Sequence, residues 1–168
     1  MYCKTHYLIA NMNTPINRSP SFISYSIEHH FGLLLVWKIR QGIEKEVFAE
    51  RIANYILYFF KADLRHHFKD EEHFLFTLLP VDHLLRLRAE HEHNKIFNLI
   101  TSIQLDKQNE SLILEFAETL EKHIRFEERV LFNELQLIIT KEEIEKIENR
   151  TAGHSEEIEA KWEDPFWK

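Results

Sequence analysis

Two ten-residue stretches of the chain are nearly alike, and they constrain the fold more than any other feature. Residues 67–76 read HFKDEEHFLF and residues 123–132 read HIRFEERVLF, with five identical positions. In each stretch a histidine precedes a glutamate by four residues, which places both on one face of an α-helix about one turn apart. The two pairs are His67 with Glu71 and His123 with Glu127. The repeat therefore predicts two helices that present an imidazole and a carboxylate to a transition metal.

Composition favours long helices around one apolar core. The chain has 168 residues, which is enough for one domain of ordinary size. It is 44% hydrophobic but holds only 3 Gly and 4 Pro, so few residues break helices or form tight turns. The predicted class is all-α: an antiparallel up-down four-helix bundle with an irregular N-terminal arm and a short extra C-terminal helix.

Apolar spacing and helix-breaking residues divide the chain into three regions. We expect an irregular arm over 1–20, the bundle over 21–140, and a charged helix with an aromatic tail over 141–168. The predicted bundle helices run from Ser21 or Ser24 to Arg40 with a stop near Gly42, from near Glu44 to Leu79, from an Asp82 N-cap to about Leu105, and from Asn109 or Ser111 to Ile139. Thr140 and Glu143 have the spacing of a capping box, which predicts the start of a fifth helix.

Helical periodicity separates the histidines that face the core from those that face water. Positions 3, 4, 7 and 10 after His93 are all apolar, whereas positions 3, 4 and 7 after His91 are polar, so His93 is expected in the core. On the first helix, His30 is followed at positions 3, 4 and 7 by two leucines and a tryptophan. His29 is followed at those positions by glycine, leucine and valine, a thinner apolar face. We therefore prefer His30 to His29, although the choice between them stays open.

Six candidate metal ligands result from these arguments. They are His30, His67, Glu71, His93, His123 and Glu127. The four-residue spacing favours Glu71 over Glu72 and Glu127 over Glu128. Either His66 or Glu72 is a candidate to orient a neighbouring ligand. Six side chains on four helices exceed what one ion would take. Two ions that share bridging carboxylates, with solvent-derived oxygen completing their coordination, fit the set better.

This pattern resembles the hemerythrin-like family, also called the HHE cation-binding domain. The resemblance covers roughly residues 21–140 and is carried by the segments 28–33, 67–72, 92–96 and 123–128. It implies two non-haem iron ions joined by an oxo or hydroxo bridge, with the four histidines as terminal ligands and both glutamates bridging. The oxygen-carrying members have an additional histidine on the third helix, where this chain has Phe97. The four-histidine, two-glutamate set is more similar to bacterial members linked to nitric oxide, redox chemistry or iron-centre repair.

Three functions are compatible with such a centre. The preferred one is a binding protein that takes a small diatomic ligand, O2 or NO, for sensing, storage or delivery. The first alternative is a di-iron enzyme that reduces NO or peroxide or repairs iron centres. The second is an interaction module in which iron holds the fold together and a protein partner responds to its occupancy.

Other classes are disfavoured by spacing and charge. A ferritin-like site has glutamate three residues before histidine, the reverse of the order here, and no His-Glu-x-x-His zinc motif occurs. The net charge of −7 argues against a nucleic-acid partner. No stretch has the length of a membrane span, and no N-terminal apolar run resembles a signal peptide. With one cysteine, these features predict a cytoplasmic protein without an internal disulfide.

Overall fold

The computed structural model describes residues 18–150 and 155–168, and every regular element in these two ranges is helical. The α-helices are α1 (Pro20–Glu44), α2 (Ala49–Phe59), α3 (Arg65–Asp70), α4 (Leu84–Leu105), α5 (Glu110–Phe126), α6 (Phe132–Ile138), α7 (Lys141–Glu148) and α8 (Ser155–Ala160). Helices α1, α2, α4 and α5 pack against one another as a helical bundle. The all-α prediction is confirmed. The up-down antiparallel order stays a prediction.

Two long segments of the bundle are helical throughout but are interrupted by wider turns. The segment 49–78 joins α2 and α3 through a π-helical turn at Phe60–Leu64 and continues through a second at Glu71–Leu75 to a 3₁₀ turn. The segment 110–138 joins α5 and α6 through a π-helical turn at Glu127–Leu131. Short π turns inside helices occur frequently at functional sites.

The first helix ends later than the sequence indicates. Gly42 does not stop α1 but lies buried within it. A Cβ at this position would lie 2.8 Å from Ile52 Cδ1 and 2.8 Å from Phe166 Cε2, so the glycine allows a close approach of α2 and the C-terminal tail. The chain instead turns at Glu46, whose positive φ of 54° is the conformation that commonly follows a helix C-terminus. As a result α2 begins at Ala49, not near Glu44.

Capping explains two further helix starts. The predicted N-cap Asp82 is wrong, because the ring Nδ1 of His83 accepts the Leu85 N–H and α4 begins one residue later. The capping box at Thr140 is confirmed: its hydroxyl accepts the Glu143 N–H, and the Glu143 carboxylate accepts the Thr140 N–H. The predicted arm falls largely on residues 1–17, which lie outside the described residues.

Apolar side chains form two clusters. One is built mainly on α1, α2, α4 and α5 and includes Leu35, Ile56 and Leu120; the other includes Tyr25, Phe76 and Phe132. The four bundle segments are 20–44, 49–78, 84–105 and 110–138. In each segment, the buried apolar residues change from one cluster to the other within a few residues of a buried histidine. The histidines therefore lie between the two apolar clusters. None of the described helices is long and apolar enough to cross a membrane.

The C-terminal tail packs back on the bundle. Trp167 lies 4.9 Å from the ring of Tyr55, and Trp162 lies 4.9 Å from the ring of Tyr58. Lys38, only 3% exposed, donates to the Tyr55 hydroxyl at 3.0 Å and to Glu159 of α8. The aromatic residues, which the sequence alone could not place, thus cover the bundle around a buried ammonium.

Candidate metal centre

Two groups of buried side chains present ligand atoms that lie within 4.8 Å of one another. The first group is His29, His67, Glu71 and Glu127, and the second is Glu71, His93, His123 and Glu127. Both glutamates belong to both groups, and each is 0% exposed. The arrangement therefore offers two adjacent ion sites, each with two imidazoles, that share a pair of carboxylates.

The repeated stretches position their ligands in the same way. In each, the histidine lies in an α-helix and the glutamate four residues later begins a π-helical turn. The N–H of Phe76 bonds to the Glu71 carbonyl and the N–H of Phe132 to the Glu127 carbonyl, both five residues back. The α-helical part places histidine and glutamate on one face. The wider turn places Phe76 and Phe132, each 0% exposed, in the core.

His29, not His30, lies in the centre. His29 is 3% exposed and its Nε2 lies 3.2 Å from Glu71 Oε1 and 3.1 Å from Glu127 Oε2, whereas His30 is exposed. The preference for His30 was wrong because apolar bulk was taken as the sign of the buried face. The buried face contains Gly32, where a Cβ would lie 2.8 Å from Ile124 Cδ1, while Trp37 on the His30 face is 48% exposed. A glycine at a close helix contact is the signal that would have identified the correct face.

The structure brings the remaining five predicted residues together. His67, His93 and His123 are at most 5% exposed, and His91 lies at the surface, as helical spacing predicts. His67 Nε2 lies 3.2 Å from Glu71 Oε1, and His93 Nε2 lies 3.4 Å from Glu71 Oε2. His123 Nε2 lies 3.4 Å from Glu127 Oε2. All four imidazoles therefore turn Nε2 towards the shared carboxylates.

The outward nitrogen of every imidazole contacts a second carboxylate. The Nδ1 contacts are His67 with Glu28 at 2.7 Å, His93 with Glu72 at 2.8 Å, His123 with Glu92 at 3.0 Å, and His29 with Glu128 at 2.7 Å. An ionised carboxylate only accepts hydrogen bonds, so Nδ1 carries a proton, and in the neutral imidazole Nε2 has a lone pair that points to the centre. Carboxylates in this position fix the ring orientation of metal-binding histidines.

These four contacts close a cycle around the bundle. Glu28 of α1 holds the histidine of the segment 49–78, and Glu72 of that segment holds the histidine of α4. Glu92 of α4 holds the histidine of α5, and Glu128, which follows α5 in the segment 110–138, holds the histidine of α1. Only Glu72 was singled out from the sequence. The available signal was adjacency, since each of the four carboxylates is next to a central ligand in the chain.

Several buried polar atoms at the centre have no hydrogen-bond partner among the described residues. They are His67 Nε2, His93 Nε2, His123 Nε2, Glu71 Oε2, Glu127 Oε1 and Glu127 Oε2. The histidine Nε2 atoms among them lie 3.2 to 3.4 Å from carboxylate oxygens without forming hydrogen bonds. Each such atom costs on the order of 1–3 kcal/mol if left unpaired. A cation placed among these lone pairs would satisfy them together, so the donor set fits a metal.

The same geometry raises the affinity of the histidines for protons. Burial opposes a charge on His67, but the Glu71 carboxylate and the hydrogen bond to Glu28 outweigh it and raise the pKa to about 9. Burial likewise opposes a charge on His93, and contacts with Glu71 and Glu72 raise its pKa to about 9. The pKa of His29 is raised well above its usual value because contacts with three carboxylates outweigh burial. Protons and a metal ion therefore compete for these imidazoles.

The carboxylates are held in their ionised form. Burial alone would raise the pKa of Glu71, but the charge on His67 and the close contact of His29 hold it well below the usual range. Burial also opposes ionisation of Glu128, yet hydrogen bonding to His29 and Ser26 lowers its pKa to about 2. Glu71 is thus available as an anionic oxygen ligand at neutral pH.

Aromatic rings enclose the centre. The ring of Phe132 stacks on His29 with centroids 5.3 Å apart, and the ring of Phe68 stacks on His93 at 4.1 Å. Phe76 lies 5.1 Å from His93 on another side. These contacts fix the imidazole planes and keep the surroundings of the ligands apolar.

The model of the hemerythrin HHE cation-binding domain matches residues 29–135, more than half of the chain. This chain belongs to the hemerythrin HHE domain family. The match includes His29, both glutamates and the other three central histidines. A cation-binding domain is the coarse function that family membership and the clustered ligands support. Neither the curated proteins nor the solved structures contain a match to this chain.

Proposed function

We propose that this HHE domain binds two iron ions and uses them to take a small diatomic ligand, O2 or NO, for sensing, storage or delivery. His29 and His67 would hold one ion and His93 and His123 the other, with Glu71 and Glu127 shared between them. The observation that carries the proposal is the group of buried nitrogen and oxygen lone pairs, unpaired among the described residues, at the point where both candidate groups meet.

Mixed imidazole and carboxylate ligands favour iron among the available metals. Two histidines with carboxylate oxygens, and positions left for other ligands, are typical of non-haem iron sites. When bound, an iron pair supplies the ability to coordinate a diatomic gas reversibly. The protein residues contribute fixed ligand orientation through the four Nδ1 contacts and apolar surroundings through Phe68, Phe76 and Phe132.

Short connections support an up-down antiparallel order of the four bundle segments. Only residues 45–48, 79–83 and 106–109 join consecutive segments. Such short joints bring the next helix back beside the previous one, which is the arrangement of simple four-helix bundles. A crystal structure would test this order directly.

Metal analysis of the anaerobically purified protein tests the ion count, and adjacent histidines supply matched controls. We expect about two irons per chain, and fewer in His67→Ala, His93→Ala and His29→Ala. The exposed neighbours His66, His91 and His30 should tolerate alanine without metal loss. A wild-type chain that takes up no iron, or a His30→Ala variant that loses metal while His29→Ala keeps it, would contradict the assignment.

Gas binding is tested separately on the iron-loaded chain. Exposure to NO or O2 should change the optical spectrum, and removal of the gas should restore it. If neither gas changes the spectrum, the gas-binding proposal is wrong and the iron would have a structural role. Repeated turnover of NO or peroxide in stopped-flow experiments would favour the enzyme alternative over the binding protein.

A further inference from the structure

We propose that Arg18 and Arg150 are positioning residues that make the His29–His67 half of the centre the higher-affinity ion site. Both arginines lie outside the residues matched by the family model, 29–135. Neither touches a candidate ligand; each holds the carboxylate that orients one. The inference rests on the metal binding proposed above and adds that the two ion sites are not equivalent.

Arg150 reaches the centre from beyond the end of α7. Its side chain is 3% exposed, and Nη2 lies 2.9 Å from Glu28 Oε1. The other oxygen of Glu28 accepts the His67 Nδ1–H at 2.7 Å. Nη1 lies 3.0 Å from Asp70 Oδ2, and the guanidinium lies 3.7 Å from the ring centroid of Tyr25. These contacts with Glu28, Asp70 and Tyr25 fix the guanidinium. Arg150 in turn fixes the Glu28 carboxylate, which orients the ring of His67.

Arg18, at the N-terminal end of the described residues, holds the carboxylate that orients His29. Its side chain is 8% exposed, and Nη2 lies 2.5 Å from Glu128 Oε2 and 2.6 Å from the Glu128 carbonyl. The other carboxylate oxygen of Glu128 contacts His29 Nδ1 at 2.7 Å and accepts the Ser26 hydroxyl at 2.7 Å. Arg18 also lies 5.1 Å over the ring of Phe132, which stacks on His29.

Among residues 18–150 and 155–168, no buried cation holds the corresponding carboxylates in the other half of the centre. Glu72, which contacts His93, has a side chain that is 45% exposed. Glu92, which contacts His123, is 19% exposed and is held by Arg88, whose side chain is 52% exposed. The Arg88–Glu92 pair joins residues four apart on one helix, and water screens it on the Arg88 side, so it contributes less than a buried pair.

We expect the buried pairs Arg150–Glu28 and Arg18–Glu128 to give their half of the centre the higher affinity for a metal ion. A buried guanidinium–carboxylate pair is a charge-assisted contact that holds its geometry, so His29 and His67 are oriented before an ion arrives. Glu72 is exposed, and Glu92 is held only by an exposed arginine, so these carboxylates hold His93 and His123 less firmly before the ion binds. The ion between His29 and His67 is therefore bound more tightly and exchanges more slowly.

Anaerobic titration of the metal-free full chain with Co²⁺, followed by visible absorption and chelator competition, tests this inference. We expect two resolved binding steps in the wild type. His123→Ala should remove the weaker step, and His67→Ala should remove the tighter one. Arg150→Gln should weaken the tighter step by about 10- to 100-fold, the usual effect of losing a residue that orients a metal ligand. The weaker step should change by less than about threefold.

Arg88→Gln is the matched control, because Arg88 also holds a carboxylate that contacts a central histidine. It should change either step by less than about threefold. Combining Arg150→Gln with Glu28→Gln distinguishes positioning from general stabilisation. If Arg150 acts through Glu28, the double variant should bind like Glu28→Gln alone, whereas independent structural losses would add.

The outcomes separate this inference from the proposed function. A wild-type chain that binds no Co²⁺ overturns the metal site itself. A wild-type chain with two ions, in which Arg150→Gln weakens both steps equally or neither, overturns only the role of the arginines. Should Arg150→Gln fail to fold, Arg18→Gln makes the same test through Glu128 and His29, with the same result required.

Discussion

Two of the buried polar clusters among the described residues, one around Lys38 and one at the candidate metal centre, differ in whether their polar atoms are paired. Around Lys38, the ammonium donates to Tyr55 and to Glu159, and it lies 4.2 Å over the ring of Trp167. At the candidate metal centre, nitrogen and oxygen atoms equally far from water have no hydrogen-bond partner among the described residues. The first arrangement is complete within the protein. The second is complete only when a ligand is present, which is why burial of polar groups alone does not identify a binding site.

The largest predicted difference between the clusters is their response to metal. Two ions at free concentrations of 100 times their dissociation constants should each add about 2.7 kcal/mol to the free energy of unfolding, or about 5 kcal/mol together. Glu71→Ala should abolish this gain, because Glu71 belongs to both ligand groups. Denaturant titrations with and without iron measure the effect. A full metal-induced gain in Glu71→Ala would show that the ions bind elsewhere.

The next effect in size concerns the paired cluster. Lys38→Met should lower the free energy of unfolding by about 3 kcal/mol, since it leaves a largely buried carboxylate of Glu159 without its cation. The loss should be the same with and without iron, and the metal content should not change. If Lys38→Met reduced the iron stoichiometry, the two clusters would be coupled and the comparison would fail.

The pH dependence of the metal-free protein gives a smaller effect. The pKa values of His67 and His93 are raised to about 9, above the usual 6.5, so the folded state holds protons more tightly than the unfolded state. Their contribution is fully present below pH 6.5 and is lost as the pH rises through 9. Between pH 7 and 8 we expect a loss of about 2 kcal/mol in the free energy of unfolding, from at most about 1.4 kcal/mol for each proton. Iron affinity should rise over the same range, because the metal displaces those protons.

The smallest effect is expected at an exposed pair that anchors the same C-terminal tail as Lys38. The guanidinium of Arg51 contacts Asp164 through two nitrogens, and both side chains are more than 40% exposed. Arg51→Met should change the free energy of unfolding far less than Lys38→Met does, because solvent screens the pair. If Arg51→Met lowers the free energy of unfolding as much as Lys38→Met does, both losses come from detachment of the C-terminal tail and not from the missing cation beside Glu159.

Local spacing made part of the centre predictable. His67, Glu71, His123 and Glu127 lie on two helices at a separation of four residues, so the sequence alone places each pair on one face. His93 was distinguishable from His91 because its helix face is apolar over three turns. These inferences need only the geometry of a single helix.

The remainder depends on contacts between distant parts of the chain. The distinction between His29 and His30 rests on the close approach of Gly32 to Ile124; the glycine is visible in the sequence, but the side chain that it packs against is not. Lys38 and Glu159 are 121 residues apart, and Arg18 and Glu128 are 110 apart. Pairing over such separations follows from packing of the whole bundle and leaves no periodic trace in the sequence.

The cycle of carboxylate–imidazole contacts has a consequence for how the domain acquires its metal during folding. Each of the four bundle segments supplies one acceptor to the segment after it and takes one from the segment before it. A partly folded chain with three segments docked lacks two of these contacts and one or two of the candidate ligands, depending on which segment is missing. High affinity for a metal ion should consequently emerge only with the docking of the last segment, so nascent or truncated chains should bind metal weakly.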